Sequence, residues 1–466
     1  MAVRALTSDE LPIFDSLKQE LGAAQPVFDT ADAYYDGMQR LEQLGLAIPP
    51  ELAKFTVIVN WPRTVVDAIA DRLDVKGFRL PGSDVGDAEM WRRWTSAGML
   101  DADLMARLDY LIYGRTYKCV GANEKDSKTP LITVESPRQM ITRRDPRTGK
   151  ITEALRLYNV DNGLARSATW YRLNETHWID LDGTAQITET DDHGLGVVPV
   201  VPTFRRRRST IPNGRTLQGT SAMEDVVPIT DAAARNISNA QLGQETHAVP
   251  QRAVLGASQG DFIDQNGKQL TVWETYFGAV WALQSKDAKI DQFDASDMKN
   301  FETMMDLYAR LASGVSGLPP NYFGLAADDA ASADAIRSRE ARLVKIAERD
   351  QVALGNSDAE VLRIAARISG DNSDDLLGME TLWYDAGTPT VASRADAVVK
   401  MFTATDSAGR SLLPRRMAME ELGWSPAKID RAMDLLGQEE RDPYLAAMNE
   451  KDAAGAAGAG AAAVGA

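Results

Sequence analysis

Apolar residues recur with two different spacings in this chain, and the spacing changes along its length. Behind Asn60-Trp61-Pro62, the residues Val65, Val66, Ile69 and Leu73 fall on one helical face, with the proline in the first turn. Leu104, Leu108, Leu111 and Ile112 make a second helical stripe that Gly114 should end, and 116–120 then reads as a strand. Residues 1–125 are expected to mix helix and strand.

From 131 to 204 the spacing shortens. β-type runs at 131–134, 154–158, 167–173, 178–181 and 185–188 are separated by Asp145-Pro146-Arg147-Thr148-Gly149, Asp161-Asn162-Gly163 and Asp182-Gly183. Asp, Asn and Gly accept the conformations that tight turns need, so a β-meander is predicted, closed by 197–204.

Helical spacing returns after 220. Ser221-Ala222-Met223-Glu224 fits a capping box opening a helix over 221–245. In it Asp231 and Arg235 stand four apart and can pair, and Pro228 should bend the helix or delay its start. Residues 246–292 are broken by Pro250, Gly256, Gly260 and Gly267, carry Trp273, Tyr276, Phe277 and Trp281, and read as a small mixed module. A helix over 296–313 follows, with Ser296 as N-cap, a stripe of Phe301, Met304, Met305, Tyr308, Leu311 and Ala312, and Gly314 just past its end.

Gly317-Leu318-Pro319-Pro320-Asn321-Tyr322-Phe323-Gly324 then abolishes all periodicity, and the loop continues through Asp328-Asp329. A long helix is predicted from an N-cap at Ser332 to 368, kinked near Gly355, which costs about 1 kcal/mol against alanine. A strand at 381–384 and helices holding Val398, Met417 and Ile429 come next. From Ala453 the chain is almost all Ala and Gly, a composition that cannot build a packed core.

Composition narrows the function. No apolar run reaches the length of a membrane span, and the first residues lack the apolar core of a signal peptide, so intracellular or particle-bound residence is expected. Cys119 is the single cysteine, which excludes an internal disulfide and cysteine-rich metal sites. The histidines are His177, His193 and His247, with no metal-binding spacing among them. Net charge is −16, from 67 acidic and 51 basic residues. A chain that grips DNA by neutralising phosphate is usually basic, so a tight grip over a large face is not expected, although the chain could surround DNA without holding it.

Catalytic motifs fail one by one. Residues 121–129 lack the second glycine of a phosphate loop. Gly194-Leu195-Gly196 is followed by Pro199, which blocks a dinucleotide-binding helix. Ser296-Asp297-Met298-Lys299 is a chance-level match, and Asp180-Leu181-Asp182-Gly183 fits a hairpin turn better than a calcium loop. His177 beside Trp178 reads as packed or exposed rather than catalytic. Neither an enzyme nor a cofactor is expected. Arg205, Arg206, Arg207 and Arg208 could touch phosphate, or meet carboxylates of this chain or of a neighbour.

The order of segments is specific. Residues 60–67 (NWPRTVVD), 132–140 (ITVESPRQM), 199–202, 316–324 (SGLPPNYFG), 332–340 (SADAIRSRE) and 384–400 together resemble the portal proteins of tailed bacteriophages, of the type found in Bacillus siphophages and many actinobacterial phages. The resemblance spans nearly the whole chain below the alanine tail and rests on the order of these stretches rather than on any one motif.

It implies an α+β portal fold. Residues 1–215 would form a mixed wing with the β-meander. Residues 216–245 and 293–313 would be two stem helices, and 246–292 a small clip between them. Residues 314–331 would be a tunnel loop, 332–370 a long kinked helix, 371–452 a helical C-terminal wing or crown, and 453–466 a disordered tail. It implies a ring, usually of twelve copies, at one capsid vertex, assembled in the host cytoplasm and carried in the virion. Double-stranded DNA would pass without sequence-specific contact. The partners implied are terminase, the major capsid and scaffold proteins and a head-completion adaptor, with no membrane. Pro319, Pro320, Asn321, Tyr322, Asp328 and Asp329 would lie nearest DNA in the tunnel loop. Asp231, Arg235, Asp297, Glu302 and Asp306 would face the channel from the stem. A largely acidic wall would keep a polyanion centred and mobile, since fields are screened over about 8 Å in physiological salt. A different minor head protein is the alternative reading, and a hydrolase working through N-terminal carboxylates is another.

Overall fold

The structure, a computed structural model of the chain, describes residues 3–39, 57–83, 86–126, 129–161, 163–209, 218–247, 252–255, 289–292, 298–325, 333–371, 373–387, 391–405, 411–424 and 426–441. Ser296, Asp297, Asp328, Asp329, Ser332, the four aromatic residues of 246–292 and the tail lie outside these residues.

The chain opens with strand β1 (Arg4–Ala5) and helix α1 (Glu10–Asp36). Thr7 and Glu10 form a reciprocal capping box: the Thr7 N–H donates to the Glu10 carboxylate at 2.9 Å, and the Glu10 N–H to the Thr7 hydroxyl at 3.3 Å. Phe14, Leu17, Leu21, Ala24 and Phe28 are spaced three and four apart and form its buried face. Helix α2 (Trp61–Ala70) carries Pro62 in its first turn, as expected, and buries Trp61, Val65, Val66 and Ile69. Strand β2 (Val75–Arg79) leads to α3 (Ala88–Ser96), capped by the Asp87 carboxylate, and to α4 (Met99–Tyr113), which closes on Gly114. Of the expected stripe, Leu111 and Ile112 are buried and Leu108 packs on the core, but Leu104 is exposed. The buried side also takes in Met99, Asp103, Ala106, Arg107 and Tyr110, whose charged members find partners inside the protein.

Two sheets follow. Strands β3 (Arg115–Gly121) and β4 (Leu131–Glu135) precede the meander of β5 (Met140–Arg144), β6 (Ile151–Asp161), β7 (Leu164–Tyr171), β8 (Thr176–Asp180) and β9 (Gln186–Asp191). The order is β1-β9-β8-β7-β6-β5, all antiparallel. The hairpins turn where the sequence places them; at the first, the Asp145 carboxylate accepts from the Arg147 and Thr148 N–H groups at 3.0 and 2.6 Å, and Gly149 takes φ 70°. One face of the meander, with Ile141, Leu155, Trp170 and Ile179, packs on Phe14, Leu17 and Leu21 of α1. Each large apolar side chain so buried contributes about 1.5–3 kcal/mol.

Strand β10 (Val200–Phe204) does not close the meander. It pairs with β3 in a separate sheet of order β10-β3-β4. Nearly every residue of β3 is buried, so both of its edges need partners, and β4 and β10 take one each.

Helix α5 (Val227–His247) is followed by an antiparallel ribbon of β11 (Arg252–Leu255) and β12 (Lys289–Gln292). Then come α6 (Lys299–Ser316), a 3-10 turn (Pro320–Phe323) and the 36-residue α7 (Ala333–Ile368). Helix α6 runs past Gly314 and ends at Gly317, which supplies the left-handed residue at φ 80°. Strand β13 (Glu380–Trp383) pairs with β2, and α8 (Val391–Thr403), α9 (Arg415–Glu421) and α10 (Pro426–Arg441) close the described chain.

Helix α7 belongs to two cores. Leu343, Ile346, Ala347 and Leu354 pack with α2, α4, α5 and α6, whereas Val361, Leu362, Ile364 and Ala365 pack on the three-stranded sheet and α3. The helix is continuous through Gly355. A Cβ there would sit 3.0 Å from Trp383 Nε1, and the Thr381 hydroxyl donates to the Gly355 carbonyl at 2.8 Å, so the glycine admits β13 close to the helix.

Candidate channel elements and their buried supports

Helices α5 and α6 pack on one another through small residues, Ala233 on one and Ala309 and Ala312 on the other, and Asn236 Nδ2 donates to the Phe301 carbonyl at 2.8 Å. The start of α5 is a correction. Ser221 does not cap the helix: its hydroxyl accepts from the Met223 N–H at 3.2 Å and donates to the Leu111 carbonyl at 3.3 Å. A turn fills 222–226, and Pro228 falls in the first turn of a helix whose start it delays.

The expected channel-facing residues separate. Asp231 is half-buried and accepts from the Tyr34 hydroxyl of α1 at 2.7 Å rather than pairing with Arg235. Glu302 is exposed, and Asp306 lies 3.9 Å from Arg310 on the same helix. Within α6 the charges Lys299, Glu302, Asp306 and Arg310 therefore balance. The apolar stripe is split as well. Met305, Tyr308 and Ala312 face the core, while Met304, Leu307, Leu311 and Val315 form a second line, 39–48% exposed.

The segment after α6 is anchored where it leaves the helix. Arg342 of α7 donates to the Gly314 carbonyl at 2.6 Å, a cation satisfying the negative end of α6. The Ser313 hydroxyl donates to the Leu318 carbonyl at 2.7 Å. Pro319 and Phe323 are buried, with Phe323 edge-on to Trp61 at 5.5 Å, whereas Pro320 and Asn321 are exposed and Tyr322 is half-buried.

The four arginines divide. Arg205 is buried and out of reach of phosphate, and it meets a carboxylate of this chain: its Nε donates to Asp350 of α7 at 3.1 Å. The Tyr110 hydroxyl donates to the other oxygen of Asp350 at 3.0 Å. Arg206 is exposed and 3.4 Å from Asp225, and Arg207 and Arg208 are exposed.

Two turns further along α7, Asp358 accepts from the ammonium of Lys118, which also donates to Asp103. Arg107 bridges Asp103 and Asp74, the latter at 3.1 Å, and Lys118 stands 5.1 Å over the Trp94 ring. Lys118 and Asp358 are fully buried. Burial pushes the Asp358 carboxyl up to about 6 against the pull of Lys118. For Asp103, burial is outweighed by Lys118 and Arg107, which hold it below the usual carboxylate range. Burial opposes the charge on Lys118, and its two carboxylates prevail and raise its pKa. Sequence reasoning missed this support. Its signal was present: Asp350 and Asp358 occupy positions in the stripe Leu343, Ala347, Leu354, Leu362 and Ala365, where a charge has no reason to sit unless paired. His177 is buried beside Trp170 and lies 2.9 Å from the Thr190 hydroxyl, a packed side chain.

Mixed helices and antiparallel sheets, a packed pair of helices and one long helix agree with the α+β fold that the resemblance to phage portal proteins implied. The chain belongs to that family: it matches the description "Phage portal protein, SPP1 Gp6-like" over residues 17–420. It is 36% identical over 409 residues to the portal protein of Mycobacterium phage D29, covering 85% of this chain and 82% of that one. It is 35% identical over 405 residues to the portal protein of Mycobacterium phage L5, covering 84% and 81%. A chain in a solved structure of the virion of a native gene transfer agent particle is 16% identical, with a TM-score of 0.44, over 85% of this chain and 99% of that one. Among the described residues no helix is long and apolar enough to cross a membrane.

Proposed function

We propose that copies of this chain close into a ring, of twelve as the family resemblance implies, and that double-stranded DNA passes through its centre during packaging and ejection. Helices α5 and α6 are the stem, the insertion based on β11 and β12 is the clip, and the segment from Gly317 to the start of α7 is the tunnel loop. The sheets, α1 to α4 and α7 make the wing, and α8 to α10 extend it. Terminase docks on the ring, which sits at a capsid vertex, and head-completion proteins replace terminase later. The chain is a conduit, with nucleotide hydrolysis done elsewhere.

The observation that carries the reading is the exposed line Met304, Leu307, Leu311 and Val315. A closed ring uses heterologous contacts, so each copy needs apolar surface that its own fold leaves uncovered. Images of the purified protein test it. Rings with a central hole are expected, and a monomer near 50.8 kDa at every concentration would overturn the reading. Shortening the segment around Asn321 and Tyr322 should leave rings intact while impairing DNA retention or packaging; normal packaging would remove the tunnel-loop role.

A further inference from the structure

One surface of this acidic chain is built to display positive charge. At the end of β10 three backbone segments cross. The Arg205 N–H donates to the Gly114 carbonyl at 2.9 Å, and the Thr220 N–H donates to the Arg205 carbonyl at 3.0 Å. The crossing is so close that a Cβ on Gly219 would lie 2.2 Å from the Gly114 oxygen, and one on Gly114 2.6 Å from the Thr220 nitrogen. Arg115 adds a hydrogen bond to the Gln218 carbonyl. With Arg205 buried on Asp350, the residue that follows is held rigidly. Arg206 takes φ 47°, a left-handed conformation that is strained for a residue with a Cβ.

That strained turn leaves Arg206, Arg207 and Arg208 exposed and sets Arg207 near Arg144, whose guanidinium lies 5.3 Å over the Phe204 ring. Arg207 and Arg208 have no carboxylate partner among the described residues. Burial and the charge of Arg207 both depress the pKa of Arg144, so like charges crowd here. Crowded cations on a preorganised backbone favour an anionic partner that arrives from outside.

We infer that the Arg206–Arg208 turn is a subunit contact that takes carboxylates from the surface of a second copy of this chain. The inference rests on the ring reading and adds where the charge of the ring is compensated. Copies that each carry −16 repel one another, and a heterologous contact can oppose that repulsion by setting this cluster of exposed arginines on one copy against carboxylates of the next. Arg206 already accepts such a partner within the chain, in Asp225 at 3.4 Å. A passing duplex fits less well. Exposed arginines facing a duplex would add a salt-dependent grip at each phosphate, contrary to free passage.

The test uses the full chain at physiological salt and compares wild type, the double variant Arg207→Glu with Arg208→Glu, and the double variant Arg207→Lys with Arg208→Lys. Mass photometry reads assembly, thermal melting reads the fold, and fluorescence anisotropy with a labelled DNA duplex reads nucleic-acid binding. The expected result is that the glutamate variant melts like wild type but needs about tenfold or more higher concentration to assemble, while the lysine variant assembles normally. Normal assembly of the glutamate variant overturns the inference and leaves the ring reading standing. The same result with lost duplex binding overturns it in favour of DNA. A wild type that stays monomeric removes the ring reading and this inference together.

Discussion

The wing side of α7 and the α5–α6 pair are held by opposite means. The wing rivets α7 with two buried ionic groups eight residues apart, Asp350 with Arg205 and Tyr110, and Asp358 with Lys118 and Asp103. The helix pair relies on alanines, one side-chain hydrogen bond and an apolar stripe that is only half used. Buried ion pairs add little net stability over apolar residues of the same size, but losing one partner is costly, so they tolerate one arrangement only. The sheet side of α7 is thus filled by groups of the same chain, whereas the helix pair leaves an apolar line uncovered.

The largest expected effect comes from breaking a rivet. Lys118→Ala leaves Asp103 and Asp358 buried without their shared cation and should cost about 3–5 kcal/mol in chemical denaturation. A loss under about 1 kcal/mol would show that the wing is not held this way. Next, Gly219→Ala forces a Cβ onto the Gly114 oxygen at φ 93° and should cost about 2–3 kcal/mol, read as a lower melting temperature.

Asp109 of α4 tests the wing from the other direction. Burial and then the nearby Asp32 carboxylate push it up to about 7. Its folded pKa exceeds its unfolded one, so the stability it contributes is present below about pH 4 and is lost as pH rises through 7. Asp109→Asn should therefore flatten the stability profile and raise stability at pH 8 by about 1–2 kcal/mol. An unchanged profile would remove Asp109 as a source of strain. The smallest effect on the single chain is expected on the unfinished side. Leu307→Ser with Leu311→Ser should change its unfolding free energy by less than about 0.5 kcal/mol yet abolish ring formation in sedimentation. A strongly destabilised chain would mean that the stripe belongs to the fold itself.

Much of this architecture was legible in the sequence where local chemistry decides it. Asn60-Trp61-Pro62 starts a helix, Gly114 stops one, and Asp145 to Gly149 turns a hairpin whatever surrounds it. Residues 197–204 were readable as a strand, but periodicity does not say which sheet an edge joins, and β3 claimed it. Helix α1 was missed although Phe14, Leu17, Leu21, Ala24 and Phe28 carry the helical spacing and Thr7 with Glu10 spells its cap. The same signature at Ser221 and Glu224 opens no helix, because Pro228 sets the start and Leu111 claims the hydroxyl. The candidate site was least legible. Which way Asp231 points depends on Tyr34, almost two hundred residues away, and the burial of Arg205 depends on α7.

The ribbon of β11 and β12 has a consequence for engineering. Arg252 stands opposite Gln292 and Leu255 opposite Lys289, so the chain departs and returns at one seam whose two edges are already stitched together. Residues 256–288 are spliced in at that seam, and a different insert with the same end-to-end distance could be exchanged there without recutting the helices below. The paired strands thereby separate the length of the insert from the register of the flanking helices.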